Sequence, residues 1–222
     1  MPEERYNFEL VPLASVVDFE NLVSDFDCDN DGINDFLKND CPKYDLERRL
    51  ATFLLVDKAN SCLAGFYSTN IGMLTLEVKD EDDVPIEEQH NYLNLAYLAV
   101  DRGYQGRGIG TAIIKEIFKS VLVVAYYVGI EMVFLQSLDE SVNFYKKVGF
   151  QLVEGPSPEE YQANGNSTDN MKFDMFIRID DLYKKGYLPY ENNFISNSID
   201  INSGSKWTDT WDQFSYISVH FL

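Results

Sequence analysis

Apolar and polar residues alternate weakly over Tyr6–Val11 (YNFELV), the two-residue period of a half-buried strand. Val17–Lys38 has the spacing of a helix instead, broken at an acidic turn. Ala51–Asp57 (ATFLLVD) is a continuous apolar run of strand length, and a turn at Ala59–Ser61 leads into a second strand, Leu63–Ser68. Met73–Val78 continues or extends that sheet, whereas Asp80–Gln89 is charged, contains Pro85 and predicts a loop. Tyr92–Val100 (YLNLAYLAV) predicts a strand, Ile109–Tyr127 a long helix and Met132–Gln136 another strand. Ser141–Val148 predicts a short helix closed by Gly149, a natural C-terminal stop. Gln151–Val153 and Lys172–Ile179 complete the strands on either side of a polar loop, Glu154–Asn170. Strands interleaved with helices imply an α/β layer structure around a mixed sheet.

The length of 222 residues fits one domain, or one domain with an extension, and 45% hydrophobic content supplies a core. Cys28, Cys41 and Cys62 are widely spaced and odd in number, so they read as buried hydrophobes in a reducing compartment. They frame neither a disulfide nor a zinc site. The N-terminus (Pro2, Glu3, Glu4, Arg5) does not resemble a signal peptide, and Val121–Val128 is too short to span a bilayer. The expectation is a cytoplasmic chain without a membrane partner, in which the sequon Asn166-Ser167-Thr168 is incidental. The net charge is −19, concentrated in Asp18–Asp40 and Glu77–Glu88, and such a field repels nucleic acid unless a local basic patch overrides it.

Within the first acidic block, DCDNDGIND (Asp27–Asp35) imitates a calcium loop. Counted as an EF-hand from Asp27, positions 1, 3, 5, 6 and 9 are filled, but position 12 is Lys38 where a bidentate Glu is needed, and Pro42 is expected to end any exiting helix early. The stretch therefore reads as an acidic turn whose aspartates cap the following helix. No metal site is expected.

The chemistry concentrates in YLAVDRGYQGRGIGTAIIKEIF, Tyr97–Phe118. A strand runs into Gln105-Gly106-Arg107-Gly108-Ile109-Gly110, which opens a long apolar helix. Glycines let the backbone approach a ligand closely, and their free N–H groups join the positive helix end to hold an anion such as phosphate. Arg102 and Arg107 add fixed positive charge. A Walker loop is excluded because Gly-Ile-Gly-Thr replaces Gly-Lys-Ser/Thr, and the glycine intervals and preceding strands differ from a dinucleotide fold.

This segment resembles the GNAT superfamily of acyl-CoA-dependent N-acetyltransferases, whose acetyl-CoA loop, Gln/Arg-x-x-Gly-x-Gly/Ala, is carried by Gln105, Gly108 and Gly110. SLDESVNFYKKVGF, Ser137–Phe150, resembles the family segment flanking the thiol end of the coenzyme. The resemblance covers about Tyr6–Ile179 and implies a GNAT fold, a central mixed, mostly antiparallel twisted sheet flanked by helices. It divides the chain into an acetyltransferase domain, residues 1–179, and a C-terminal extension, 180–222, packed on it or on a partner subunit. It further implies that Gln105, Gly106, Arg107, Gly108, Ile109, Gly110 and Thr111 bind the diphosphate of acetyl-CoA. The pantetheine would lie along Leu98, Ala99 and Val100 in a V-shaped opening between strands.

In the reaction this implies, an amine attacks the thioester, an oxyanion forms, and a thiolate leaves. Protonating the thiolate calls for an acid still protonated at neutral pH, and a phenol with a pKa of ~10 qualifies. Tyr145 sits where the family places that tyrosine, and the N–H near Ala99 or Val100 is the expected oxyanion donor. Candidates for the base are Glu77, Asn94, Asp101, Asp139 or a water chain. His90 and His220 lie outside the motifs, and Cys62 has no activating partner in view.

FDCDNDGINDFLKND, with LAGFYST, resembles the N-terminal region of a GNAT subgroup containing toxin–antitoxin acetyltransferases, some of which act on aminoacyl-tRNA. The acidic turn would then form a wall beside the acceptor cleft. Lys43, Arg48 and Arg49 form one modest basic cluster, so a primary amine of a small molecule or protein is preferred over tRNA as acceptor. A non-catalytic acyl-CoA-binding module is the remaining alternative, against which the glycines and Tyr145 argue. The extension, with Trp207, Trp211, Phe214, Tyr216 and Phe221, would add a strand, cover the acceptor site or mediate a homodimer.

Overall fold

The computed structural model of the chain describes residues 7–79, 83–153, 155–165, 167–168 and 171–188. Tyr6, the side chain of Glu77, Asn166 of the sequon, His220 and the extension beyond Leu188 lie outside the described residues. Three apolar runs build the first half of the sheet: β1 (Phe8–Pro12), β2 (Ala51–Asp57) and β3 (Cys62–Lys79), each antiparallel to the next. Strand β4 (Pro85–Val100) pairs antiparallel with β3, and β5 (Met132–Leu138) lies parallel to β4. β6 (Gln151–Leu152) and β7 (Lys172–Arg178) close the order β1-β2-β3-β4-β5-β7-β6.

β2 shows why both faces of this sheet are covered. Leu54 and Leu55 are adjacent, so they project to opposite faces, and both are fully buried. Leu55 joins Leu93, Leu95, Val133, Leu135 and Met175 in one core, and Leu54 joins Phe26, Phe36, Leu37 and Phe66 in another. The first core takes in the apolar stripe Ile113, Ile117, Val121 of the long helix Ile109–Val128, at the spacing of one helix face. The second is covered by the short helices α1 (Phe19–Val23), α2 (Asp31–Asp35) and α3 (Cys41–Leu46). The long helix is α4, and α5 (Asp139–Val148), α6 (Pro158–Ala163) and α7 (Ile179–Lys184) follow it. The first core runs past Ile179, since Leu182 is fully buried in it and the Tyr187 ring packs edge-on against Phe118 at 5.2 Å.

The structure corrects the sequence at four places. Asp80–Gln89 is not wholly a loop: β4 begins at Pro85 and its charged first half pairs with β3 as far as Lys79↔Pro85. Main-chain pairing needs no apolar side chains, and a proline is tolerated as the first residue of a strand. The polar segment Glu154–Asn170 contains α6, started by a capping box in which Ser157 and Glu160 bond each other's backbone. The cap of α2 is Asn30, whose side chain accepts from the Ile33 amide at 3.1 Å, rather than an aspartate. Pro42 does not end the helical run, because Phe36–Asp40 widens into a π turn in which the Cys41 amide bonds the Phe36 carbonyl. The wider turn shifts the register just where proline would strike the preceding turn.

Candidate active site

The cleft begins where two strands part. β4 and β5 pair only from Tyr92↔Met132 to Leu95↔Leu135. At that point the pairing of β4 with β3 skips one residue, because Thr69 faces Leu95 while Ser68 faces Tyr97, leaving Ala96 as a bulge. A bulge bends its strand and increases the local twist. Beyond it, Leu98, Ala99 and Val100 from β4 and Leu138 from β5 line a cleft of about 540 Å³.

The glycine-rich turn lies across the mouth of this cleft. Gly106 and Gly108 have φ of 72° and 81°, the left-handed region that glycine enters without strain, and no atom lies within 4 Å of a Cβ placed on either. Gly108 caps α4, a helix of 20 residues whose first-turn N–H groups have no partner within the helix. Gly106, Gly108, Ile109, Gly110 and Thr111 all line the cleft. At Gly110 the space is closed instead: a Cβ would sit 3.3 Å from Cζ of Phe144, so the glycine lets α4 start close against α5. A cradle of unobstructed backbone at the positive end of a long helix fits a diphosphate.

Tyr104 and Gln105 bond back onto the protein. Gln105 Nε2 donates to the Val100 carbonyl at 3.0 Å and to the Cys28 carbonyl at 3.3 Å. The Tyr104 hydroxyl donates to Asp57 Oδ2 at 2.8 Å and lies 3.0 Å from Cys62 Sγ. Asp57 is fully buried; burial alone would raise its pKa, but bonds from Asn60, Tyr104 and the Ala59 and Asn60 amides hold it below the ordinary carboxylate value. Arg102 and Arg107 are both exposed, and Arg102 pairs with Asp27 at 2.9 Å.

Tyr145 reaches the cleft from α5. It is 8% exposed and packs edge-on against Phe144 and Phe150, with centroids 5.0 and 5.6 Å away. Burial pushes its hydroxyl well above the ordinary tyrosine pKa, so it stays a neutral proton donor. Among the candidate bases, Asn94 donates to Asn70 Oδ1 at 2.9 Å, Asp101 accepts from the Asp27 and Gly103 amides, and Asp139 accepts from Thr168 and Gln162. Asp101 and Asp139 thus hold loops together.

Residues of the quoted motifs that were not assigned a role individually complete the cleft. Cys28, Asp29, Asn30 and Ile33 form one wall, and Glu140, Ser141 and Phe144 line it beside Tyr145. The α5 residues were findable, since 141, 144 and 145 fall on one face at helical spacing. The turn was expected as a wall only from its family resemblance; contacts 74 or more positions apart bring it there, and spacing does not encode them. The Asp27 carboxylate is engaged by the Asp29 amide, Asn34 and Arg102, and no group of three metal-type ligands occurs among the described residues. No helix among them is long and apolar enough to cross a membrane.

Residues 53–152 match the family model of the acetyltransferase (GNAT) domain. Over those residues the chain is similar to that acetyltransferase domain, whose class is acyltransferase. Solved structures with the same fold include one described as a bacterial toxin, 18% identical, with a TM-score of 0.67 over 85% of this chain and 99% of that one. AtaTR bound with acetyl-CoA is 19% identical, with a TM-score of 0.65 over 81% of this chain and 98% of its own. AtaT complexed with acetyl-methionyl-tRNA is also 19% identical, with a TM-score of 0.63 over 81% and 99%. At these identities the likeness is one of fold.

Proposed function

We propose that the chain transfers the acetyl group of acetyl-CoA to a primary amine by direct attack, with Tyr145 as the general acid. The observation that carries this reading is the sharing of one cleft by the open glycine cradle and the buried Tyr145 hydroxyl. The family match and the acetyl-CoA held by AtaTR support it. In this reading the N–H groups of Gln105–Thr111 hold the diphosphate, and Leu98–Val100 lie along the pantetheine. The amide near Ala99 or Val100 stabilises the oxyanion. The amine nitrogen adds to the acetyl carbon to give the tetrahedral oxyanion, which collapses as the carbon–sulfur bond breaks. Tyr145 gives its proton to the leaving sulfur, and the proton shed by the amine returns to the tyrosinate through water. Asp29 and Glu140 in the walls and the net charge of −19 favour a cationic acceptor, a small-molecule or protein amine.

A second reading, the amine of an aminoacyl-tRNA, is favoured by the AtaT complex with acetyl-methionyl-tRNA. Release of free thiol from acetyl-CoA in a screen of amines tests the first reading, and transfer to aminoacyl-tRNA across a salt series tests the second. Binding of tRNA that is absent even at low salt eliminates the second. Residues 180–222 are proposed to act as an extension on the domain or on a second copy. Because Leu182 and Tyr187 belong to the core, the informative truncation ends at Leu188, with solution mass as the readout.

A further inference from the structure

Asp27 in the acidic turn is given no task by the proposed reaction, although Asp29 beside it lines the cleft. Its contacts are unusually directed. Asp27 Oδ1 accepts from the Asp29 amide and from Asn34 Nδ2, both at 2.9 Å, which shapes the turn itself. Its other oxygen, Oδ2, turns away and accepts from Arg102 Nη1 at 2.9 Å. The main chain repeats the connection twice, since the Asp27 amide donates to Asp101 Oδ2 at 3.0 Å and the Arg102 amide donates to the Asp27 carbonyl at 2.8 Å. One residue beyond Asp27 and three beyond Arg102, Gln105 donates to the Cys28 carbonyl. Two segments separated by more than seventy positions are therefore stitched together where the chain enters the glycine-rich turn. Cys28, Asp29 and Asn30 line the same cleft as the glycine cradle.

We propose that Asp27 is a positioning residue for coenzyme binding: through Arg102 and the end of β4 it fixes the spacing between the Cys28–Asn30 wall and the Gly106–Gly110 cradle. The inference rests on the coenzyme reading above. A different role makes the opposite forecast. Were Asp27 merely to quench a cation, releasing Arg102 would offer a free guanidinium to the diphosphate and tighten binding.

Calorimetric titration of coenzyme A into the full chain separates these cases. Wild-type heat is required by the coenzyme reading, and its absence overturns that reading and this inference together. Given wild-type binding, Asp27→Asn keeps an oxygen for the Asp29 amide and Asn34 but sets an amide against Arg102. The expected result is an affinity for coenzyme A weakened about three- to fivefold, with a ligand-free Tm close to wild type, as befits an exposed pair. Arg102→Gln removes the same contact from the other side. The double variant should bind no worse than Arg102→Gln alone, a coupling that a general loss of structure does not produce. Unchanged or tighter binding by Asp27→Asn overturns the proposal, as do losses that simply multiply in the double variant.

Discussion

Gly65→Ala isolates the contact that holds the cleft wall in place. Gly65 lies in β3 opposite Val100 of β4, and the missing side chain points at the neighbouring strand. A Cβ there would sit 2.8 Å from the Ala99 carbonyl oxygen and 3.2 Å from Cδ1 of Ile113. Real Cβ atoms essentially never come within 3.0 Å of another heavy atom, and the nearer obstacle is backbone, so β4 must retreat by about half an ångström. Overpacking of this kind costs about 1–3 kcal/mol, which for a chain of this size lowers Tm by roughly 2–12 °C. The displaced residues, Ala99 and Val100, line the cleft, so coenzyme A affinity should fall several-fold together with stability. Thermal melts followed by circular dichroism and calorimetric titration with coenzyme A measure both. Gly32→Ala is the control: in α2 its Cβ meets nothing closer than 3.5 Å, and the change should be neutral or stabilising by up to about 1 kcal/mol. A Gly65→Ala protein that melts within a degree of wild type and binds coenzyme A equally well refutes this account of the wall.

Tyr145→Phe should keep coenzyme A affinity and lower the rate of thiol release by about 10²–10⁴-fold, the usual range for a general acid; an unchanged rate removes Tyr145 from that role. Because burial raises its pKa, the rate should show no alkaline limb at the ordinary tyrosine value near 10; a limb there that vanishes in Tyr145→Phe contradicts the burial argument. The Asp57 pKa is depressed in the folded state, so its stabilisation is present above the unfolded value near 3.9 and lost as pH falls through the folded one. Asp57→Asn should therefore lower stability at neutral pH and flatten its decline below about pH 4 in acid unfolding curves. Ile113→Ala, deep in the core of α4, should cost about 2–5 kcal/mol in denaturant titration without selectively altering coenzyme binding.

The long-range architecture was legible where the apolar pattern was one-sided or continuous. ATFLLVD and YLNLAYLAV became β2 and the second half of β4, and the helix opened by Gly108 became α4. The first half of β4 was hidden because residues such as Glu87 and Gln89 are exposed, and a ladder of main-chain bonds leaves no trace in hydropathy. α6 was hidden by its polarity, although Ser157-Pro158-Glu159-Glu160 carries a readable start signal. At the site, the glycine spacing marked the cradle, whereas only a family resemblance, not spacing, suggested that the acidic turn forms a wall. Its members are placed by the bonds of Asp27 and Gln105 to residues far along the chain, and spacing cannot encode such a meeting.

The acidic lining of the cleft has a kinetic consequence. Asp29 and Glu140 present carboxylates to an opening built for a multiply phosphorylated guest, on a molecule already carrying a surplus of negative charge. Arrival must work against mutual repulsion, whereas most charge-guided encounters work with attraction. Background electrolyte shields that repulsion over distances of about 10 Å at 0.1 M, so moderate salt should hasten capture of coenzyme A where it ordinarily slows the capture of charged ligands.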